Sequence, residues 1–311
     1  MQTPKISVIM AVRNGEKYLN KSLESLLNQS FTDFEIVVVN DASTDMTGKI
    51  LEEYLKKDSR IRVITNKKNL ERCASRNIAI NESRGEYIAI NDVDDISLKD
   101  RLRKEFEYLE NNPDVYLVGS RAYILDEKNN CIGKSWGKNK NIEITDTLKE
   151  KNVLVHSSVM FRNEDKENFR YREKLRFVED YDLFLQIVKA GYRIDLVGDF
   201  LVNYSDDNDL IFNDYMIKQK YLDHIVKKIF QEKLKYEDLD AENLEKYLPE
   251  KLILEMKLKE NFTKERFKES REFSKKLIKM DNSFWWKLYF VDSYFNGNLI
   301  KMGKRIKRSI I

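Results

Sequence analysis

Four short apolar runs, rich in β-branched residues, fall within the first ninety residues, and each ends abruptly on polar ones. They are Ile6–Val12, Phe34–Val39, Ile61–Ile64 and Tyr87–Ile90. Runs this short and this apolar predict strands buried on both faces. Between them the apolar residues recur at helical spacing: Tyr18, Leu19, Leu23, Leu26 and Leu27, then Ile50, Leu51, Tyr54 and Leu55. A third helix is expected over about 74–83 with Gly85 as its stop, and a fourth over about 98–110, before Pro113. Strands alternating with helices over short loops dictate an α/β fold, a mainly parallel sheet flanked by helices. Ligands of such sheets bind beyond the carboxyl ends of the strands. That rule selects Asn14, Asp41 and Asp92–Asp95, each of which follows directly on a strand.

The middle of the chain is more mixed. Residues 116–119 and 122–125 read as strands with a turn near Asn129-Asn130, and Val153–Phe161 reads as a strand carrying His156. Glu179–Ala190 reads as a helix stopped by Gly191, and 193–197 and 200–204 read as closing strands. From about Leu210 the pattern is helical, charged and aromatic. The expected organisation is therefore one domain over 1–209 and a helical C-terminal region over 210–311. The 56 basic and 53 acidic residues leave a net charge of only +3, which argues against a nucleic-acid binder. Cys73 and Cys131 form no zinc or disulfide pattern, so a reducing, cytoplasmic setting is expected. The N-terminus reads as having no signal peptide, and no apolar run approaches the roughly 18 residues that span a bilayer.

The chemistry centres on Asp92-Val93-Asp94-Asp95. Three carboxylates within four residues repel one another, and a hard Mg2+ or Mn2+ ion would relieve that repulsion. Such an ion would also neutralise charge on a leaving diphosphate. The competing reading is an acidic loop capping a helix that begins near Ile96. Asp41 is either a turn residue or a carboxylate for a nucleotide base or ribose. Glu179-Asp180 either complements a helix dipole or supplies a general base for an attacking hydroxyl.

Taken in order, Val12-Arg13-Asn14-Gly15, Val39-Asn40-Asp41-Ala42-Ser43-Thr44-Asp45, Ser75-Arg76-Asn77, Gly85-Glu86-Tyr87-Ile88 with Asp92-Val93-Asp94-Asp95, and Glu179-Asp180-Tyr181-Asp182-Leu183 resemble the family 2 inverting glycosyltransferases with the GT-A fold. The resemblance covers about residues 4–205. It is nearest to the bacterial enzymes that build surface polysaccharides, and His156–Arg162 resembles a recurring segment of that branch. It implies that a sugar passes from a nucleotide-sugar, a UDP-sugar by expectation, to a glycan or lipid-linked acceptor. Val12, Asn14, Asp41, Arg76, Asp92, Asp95 and His156 would then serve the donor site, with His156 also a candidate to face the acceptor. Asp94 and Asp92 would serve the metal, Asp180 would be the base, and Glu179 its neighbour. Relatives commonly have Gly where this chain has Glu71, and a Tyr-Arg-x-His stretch where it has Tyr204-Ser205-Asp206-Asp207; Asp207 is the substitute candidate for a third metal ligand.

Two other function classes fit the same sheet. A nucleotidyltransferase would carry a Gly-rich basic loop after the first strand, and Val12–Glu16 is a poor match. A non-catalytic nucleotide-sugar-binding protein remains compatible with the missing Tyr-Arg-x-His stretch. Near the C-terminus, Ser283–Phe290 is dense in aromatics and Lys301–Arg308 is basic. Together they suit peripheral contact with an anionic membrane.

Overall fold

A computed structural model describes residues 3–126, 128–135, 143–164, 167–205, 214–240, 243–263 and 266–280. The chain divides into two compact units, Met1–Asp207 and Asn208–Ile311.

The first unit begins with the expected alternation: β1 (Ile6–Val12), α1 (Leu19–Leu27), β2 (Phe34–Asn40), α2 (Thr47–Lys57), β3 (Ile61–Thr65), α3 (Glu71–Glu82) and β4 (Tyr87–Ile90). Every residue of β2 is buried, which is why Ile36–Val39 is continuously apolar rather than alternating. α1 buries Leu19, Ser22, Leu23 and Leu26, a single stripe at helical period. β2, β1 and β4 run parallel and nearly in step, with Val12 beside Asn40 and Ile9 beside Ile90. Their carboxyl ends therefore lie along one edge.

The chain continues through β5 (Ile96–Ser97), α4 (Arg101–Asn111), β6 (Val115–Leu125), β7 (Cys131–Lys134), α5 (Ile144–Glu150), β8 (Val159–Arg162), α6 (Glu179–Lys189) and β9 (Arg193–Ser205). The strand order is β3-β2-β1-β4-β8-β6-β9-β5, with β7 on β6. The sheet is mixed. β3, β2, β1 and β4 are mutually parallel, as are β6 and β9, while β8 runs antiparallel to both β4 and β6. Because β8 is antiparallel to β4, the residues entering β8 lie at the end where β4 stops.

Several expected elements differ in detail. Residues 153–161 are not one strand: His156–Ser158 form a 3-10 turn before β8. β6 and β9 are each continuous across the breaks expected within them, and shifts of register at residues 120–122 absorb the irregularity. α3 starts at Glu71, ahead of the expected 74, and ends in extended backbone at Ser83. Gly85 is no helix stop. A Cβ on it would lie 2.5 Å from the Ser7 nitrogen and 2.7 Å from the Ile6 carbonyl carbon, so its role is close approach to β1. Gly191, at φ +89°, does end α6 as expected.

In the second unit the described elements are helical: α7 (Asp214–Phe230), a 3-10 turn (Leu244–Tyr247), α8 (Glu250–Thr263) and α9 (Phe267–Met280). α7 buries Leu222, Ile225, Val226 and Ile229, and Leu254, Leu258 and Leu277 form a small core between α8 and α9. Among the described residues no helix is long and apolar enough to cross a membrane. Ser283–Phe290, Lys301–Arg308 and Asp207 lie outside the described residues.

Candidate active site

The site lies along the edge where β2, β1 and β4 end. Three consecutive residues of α3 hold three different parts of it. Ser75 Oγ accepts a hydrogen bond from Asn66 Nδ2 at 3.1 Å, and the same amide donates to Asp41 Oδ1 at 2.8 Å. Arg76 donates to Asp92 Oδ1 at 2.6 Å and to Glu179 Oε1 at 2.8 Å. Asn77 pairs with the backbone of Tyr171, donating to its carbonyl at 2.9 Å and accepting from its N–H at 3.0 Å. The turn of α3 bearing these side chains thus fixes the β2 end, the β4 end and the start of α6.

Asp92 follows β4 and is clamped on both oxygens. Arg76 holds Oδ1, while His156 Nδ1 lies 2.8 Å and Ser157 Oγ 3.3 Å from Oδ2. Burial pushes this carboxyl up, but the Arg76 charge and the contact with His156 outweigh it and hold the group well below the usual range. His156 and Ser157 arrive there because the 3-10 turn precedes an antiparallel β8.

Asp95 is buried at 1 % exposure. Its Oδ2 accepts from Ser157 Oγ, and its Oδ1 accepts from the Ser205 N–H at 2.9 Å. Burial first, then the charges of Asp94 and Asp92, push its carboxyl well above the usual range. Ser205 Oγ also donates to the Asp94 carbonyl at 2.7 Å, so the end of β9 fastens the acidic loop. On the other side, Gly15 lets Val93 approach: a Cβ there would meet Val12 Cγ2 at 2.5 Å and Val93 Cγ2 at 3.0 Å. The helix-cap reading of the loop does not hold. Ile96–Ser97 form a strand paired with β9, and α4 begins only at Arg101.

Glu179 and Asp180 open α6 with different surroundings. Glu179 is buried at 4 % exposure. Its Oε1 takes Arg76, with Arg72 Nη1 at 3.6 Å, and its Oε2 accepts the Phe177 N–H at 2.6 Å. Asp180 is part-exposed, and Asn152 Nδ2 donates to its Oδ2 at 2.9 Å. Burial pushes the Asp180 carboxyl above its ordinary value, and Glu179 adds to the shift. A raised carboxyl is a stronger proton acceptor once ionised.

Backbone strain collects here as well. Of the six non-glycine residues with positive φ among those described, Asn14, Ala42, Glu71 and Phe177 border this site. Glu71, at φ 68°, stands where glycine would be unstrained, and Asn69 bonds it through both its backbone N–H and its side chain.

These contacts sort the residues expected from sequence. Asp41, Arg76, Asp92, Asp95, His156 and Glu179 are tied together through α3 and the 3-10 turn. Val12 is a core residue, 1 % exposed, whose carbonyl accepts the Asp41 N–H at 2.8 Å; it positions Asp41 rather than offering a side chain to a ligand. Asn14 Oδ1 accepts the Thr44 N–H at 2.8 Å, locking the β1 turn to the β2 turn. Asp95 is spent on Ser157 and Ser205, so it supports the loop. Glu179 is spent on Arg76 and Phe177, so it anchors rather than reacts. Tyr171 and Asn152 were not expected, and Ser75, Asn77 and Ser157 stood in the matched motifs without a role of their own. Their roles come from contacts at separations of up to 94 residues, beyond the reach of local spacing. Also unforeseen is Arg101, fully buried under the loop, donating to the Ile90 carbonyl at 2.8 Å and to Glu105 at 3.1 Å.

For a divalent cation the donor set is small. Among the described residues no group of three or more His, Cys, Asp or Glu is arranged to hold a metal. Asp92 already has a guanidinium on one oxygen and an imidazole on the other, and Asp94 is part-exposed in the same turn. Mg2+ is commonly held by one or two carboxylates with substrate phosphates and waters completing its shell.

A mixed α/β sheet with carboxylates gathered beyond its parallel strands is the arrangement of the GT-A fold. The chain belongs to the Glycosyl transferase family 2, whose model matches residues 7–169. It is 40% identical over 223 residues to the uncharacterised glycosyltransferase MJ1057 of Methanocaldococcus jannaschii, a match covering 71% of this chain and 77% of that one. It is 32% identical over 206 residues to the O-antigen biosynthesis glycosyltransferase WbnJ of Escherichia coli, covering 65% and 80%. Among solved structures, residues 1–349 of S. aureus TarS in complex with UDP-GlcNAc superpose with a TM-score of 0.57 at 20% identity, over 93% of this chain and 79% of that one. That last likeness is one of fold.

Proposed function

We propose that this glycosyltransferase moves a sugar from a UDP-sugar to a hydroxyl of a glycan or lipid-linked acceptor in cell-surface polysaccharide synthesis. The anomeric carbon inverts in a single displacement. The observation that carries this reading is the Arg76 bridge. One guanidinium joins Asp92 to Glu179, and Asp94 and Asp180 belong to the two segments it ties together. Kinship with WbnJ supports the polysaccharide setting, and the TarS complex supports a UDP-sugar donor.

In this reading Asp180 accepts the proton of the acceptor hydroxyl as its oxygen bonds to the anomeric carbon. The bond from that carbon to the diphosphate oxygen breaks, and UDP leaves. Asp41, whose hydrogen bonds to described residues both fall on Oδ1, offers Oδ2 to the N3–H of uracil. Asp94 would hold Mn2+ or Mg2+, which when bound would neutralise charge on the departing diphosphate. We infer a cytoplasmic enzyme, in peripheral contact with anionic lipid through the basic stretch Lys301–Arg308.

The test is UDP release from a panel of UDP-sugars with Mn2+, in wild type and in Asp180→Asn. Wild type should release UDP, and the variant should be slower by about a hundredfold or more while binding UDP normally. Release of pyrophosphate from a nucleoside triphosphate instead would favour nucleotidyl transfer. Equal rates in the two proteins would remove Asp180 from its role.

A further inference from the structure

Tyr171 is buried at 1 % exposure, and its hydroxyl lies 2.8 Å from His156 Nε2. The other ring nitrogen, Nδ1, lies 2.8 Å from Asp92 Oδ2. These three side chains form one line, and only one arrangement of protons satisfies every member of it. The ionised Asp92 can only accept, so His156 Nδ1 must donate. If Nε2 also carried a proton, the Tyr171 hydroxyl would accept from it and be left with a buried proton of its own. Among the described residues that hydroxyl has no other hydrogen-bond partner. With Nε2 unprotonated, the hydroxyl donates to it and each group is satisfied. The ring of Tyr171 is fixed independently: Asn77 holds its backbone from both sides, and the Arg76 guanidinium lies 5.5 Å from its centroid.

We propose that Tyr171 is a positioning residue of the donor site, whose hydroxyl locks His156 in the Nδ1–H tautomer and thereby aims Asp92 at Arg76. The role rests on the reading of the Asp92 loop as the donor-binding loop. Because Asp94 belongs to the same turn, letting Asp92 swing loosens the loop that must meet the diphosphate. Tyr171 never touches the reacting atoms.

The chain has only two histidines, His156 and His224, so two-bond proton–nitrogen NMR of the full chain can read this ring directly. His224→Gln, a change in the second unit, assigns the remaining signal. In its neutral form His156 should show a protonated Nδ1 and an unprotonated Nε2. Tyr171→Phe keeps the ring and removes only the hydroxyl. It should shift His156 toward a mixture of tautomers and weaken UDP binding in Mn2+ by roughly tenfold, a loss of about 1.4 kcal/mol. An Nε2–H tautomer in wild type would overturn the proposal without any variant. So would a Tyr171→Phe protein with an unchanged imidazole, or one with a changed imidazole and unchanged UDP affinity. Failure of wild type to bind UDP would instead sink the donor-site reading, while the tautomer would still report on the lock.

Discussion

At the scale of single residues, the carboxylates divide by what surrounds them. Asp95 and Glu179 are buried and bonded on both oxygens, and Asp92 is clamped between Arg76 and His156; Asp94 and Asp180 are part-exposed in the same segments. Arg76 enforces that division. Arg76→Met would leave the buried Glu179 and the half-buried Asp92 without their counter-charge, and should cost about 3–5 kcal/mol in urea unfolding. Asp180 gives a pH signature. Its folded value is raised, so the penalty for burying its charge is relieved as pH falls through that value. Activity moves the other way, because the base must be ionised. The acid limb of the turnover profile should therefore lie above the ordinary Asp value of about 3.9, and Asp180→Asn should erase it. A limb unchanged in the variant would assign it to another group. The sequence placed Asp94 and Asp180 correctly after a strand and at a helix start. It could not show that Asp92 faces Arg76, because sixteen residues and a strand separate them.

At the scale of elements, the site depends on strands that end in step. Gly85 lets the chain enter β4 against the backbone of β1. Gly85→Ala should destabilise the fold by about 1–3 kcal/mol, since the atoms a Cβ meets are backbone and cannot move aside; chemical denaturation would show it, and a neutral result would refute the close-approach role. β1, β2 and β4 were legible because burial on both faces leaves stretches dominated by adjacent apolar residues, while β3 is partly exposed beyond Ile61. The segment 153–161 was not, since its apolar ends are joined by Ser157 and Ser158, fully buried yet polar, whose hydroxyls are satisfied by Asp95 and by the Val155 carbonyl. A pattern of hydrophobicity cannot foresee polar residues that are buried because they are bonded. Ile96–Ser97 escaped for a different reason: two residues are too few to carry a period.

At the scale of the whole molecule, the chain holds two compact units, and the interactions that build the site come from residues before Asp206. A protein of residues 1–207 should therefore melt cooperatively and bind UDP with Mn2+; a molten product would show that the first unit needs the second. The change to a helical pattern near residue 210 was visible in the sequence, because strand-like runs cease there and a helical, charged and aromatic pattern follows. In the proposed function Asp94 anchors a metal-dependent UDP-sugar site at the end of β4. Titration calorimetry of UDP, with and without Mn2+, into wild type and Asp94→Ala reads that site. Wild type should bind tightly only with the metal, and the variant should lose at least tenfold; equal affinity in the two proteins, or binding indifferent to metal, would rule the site out.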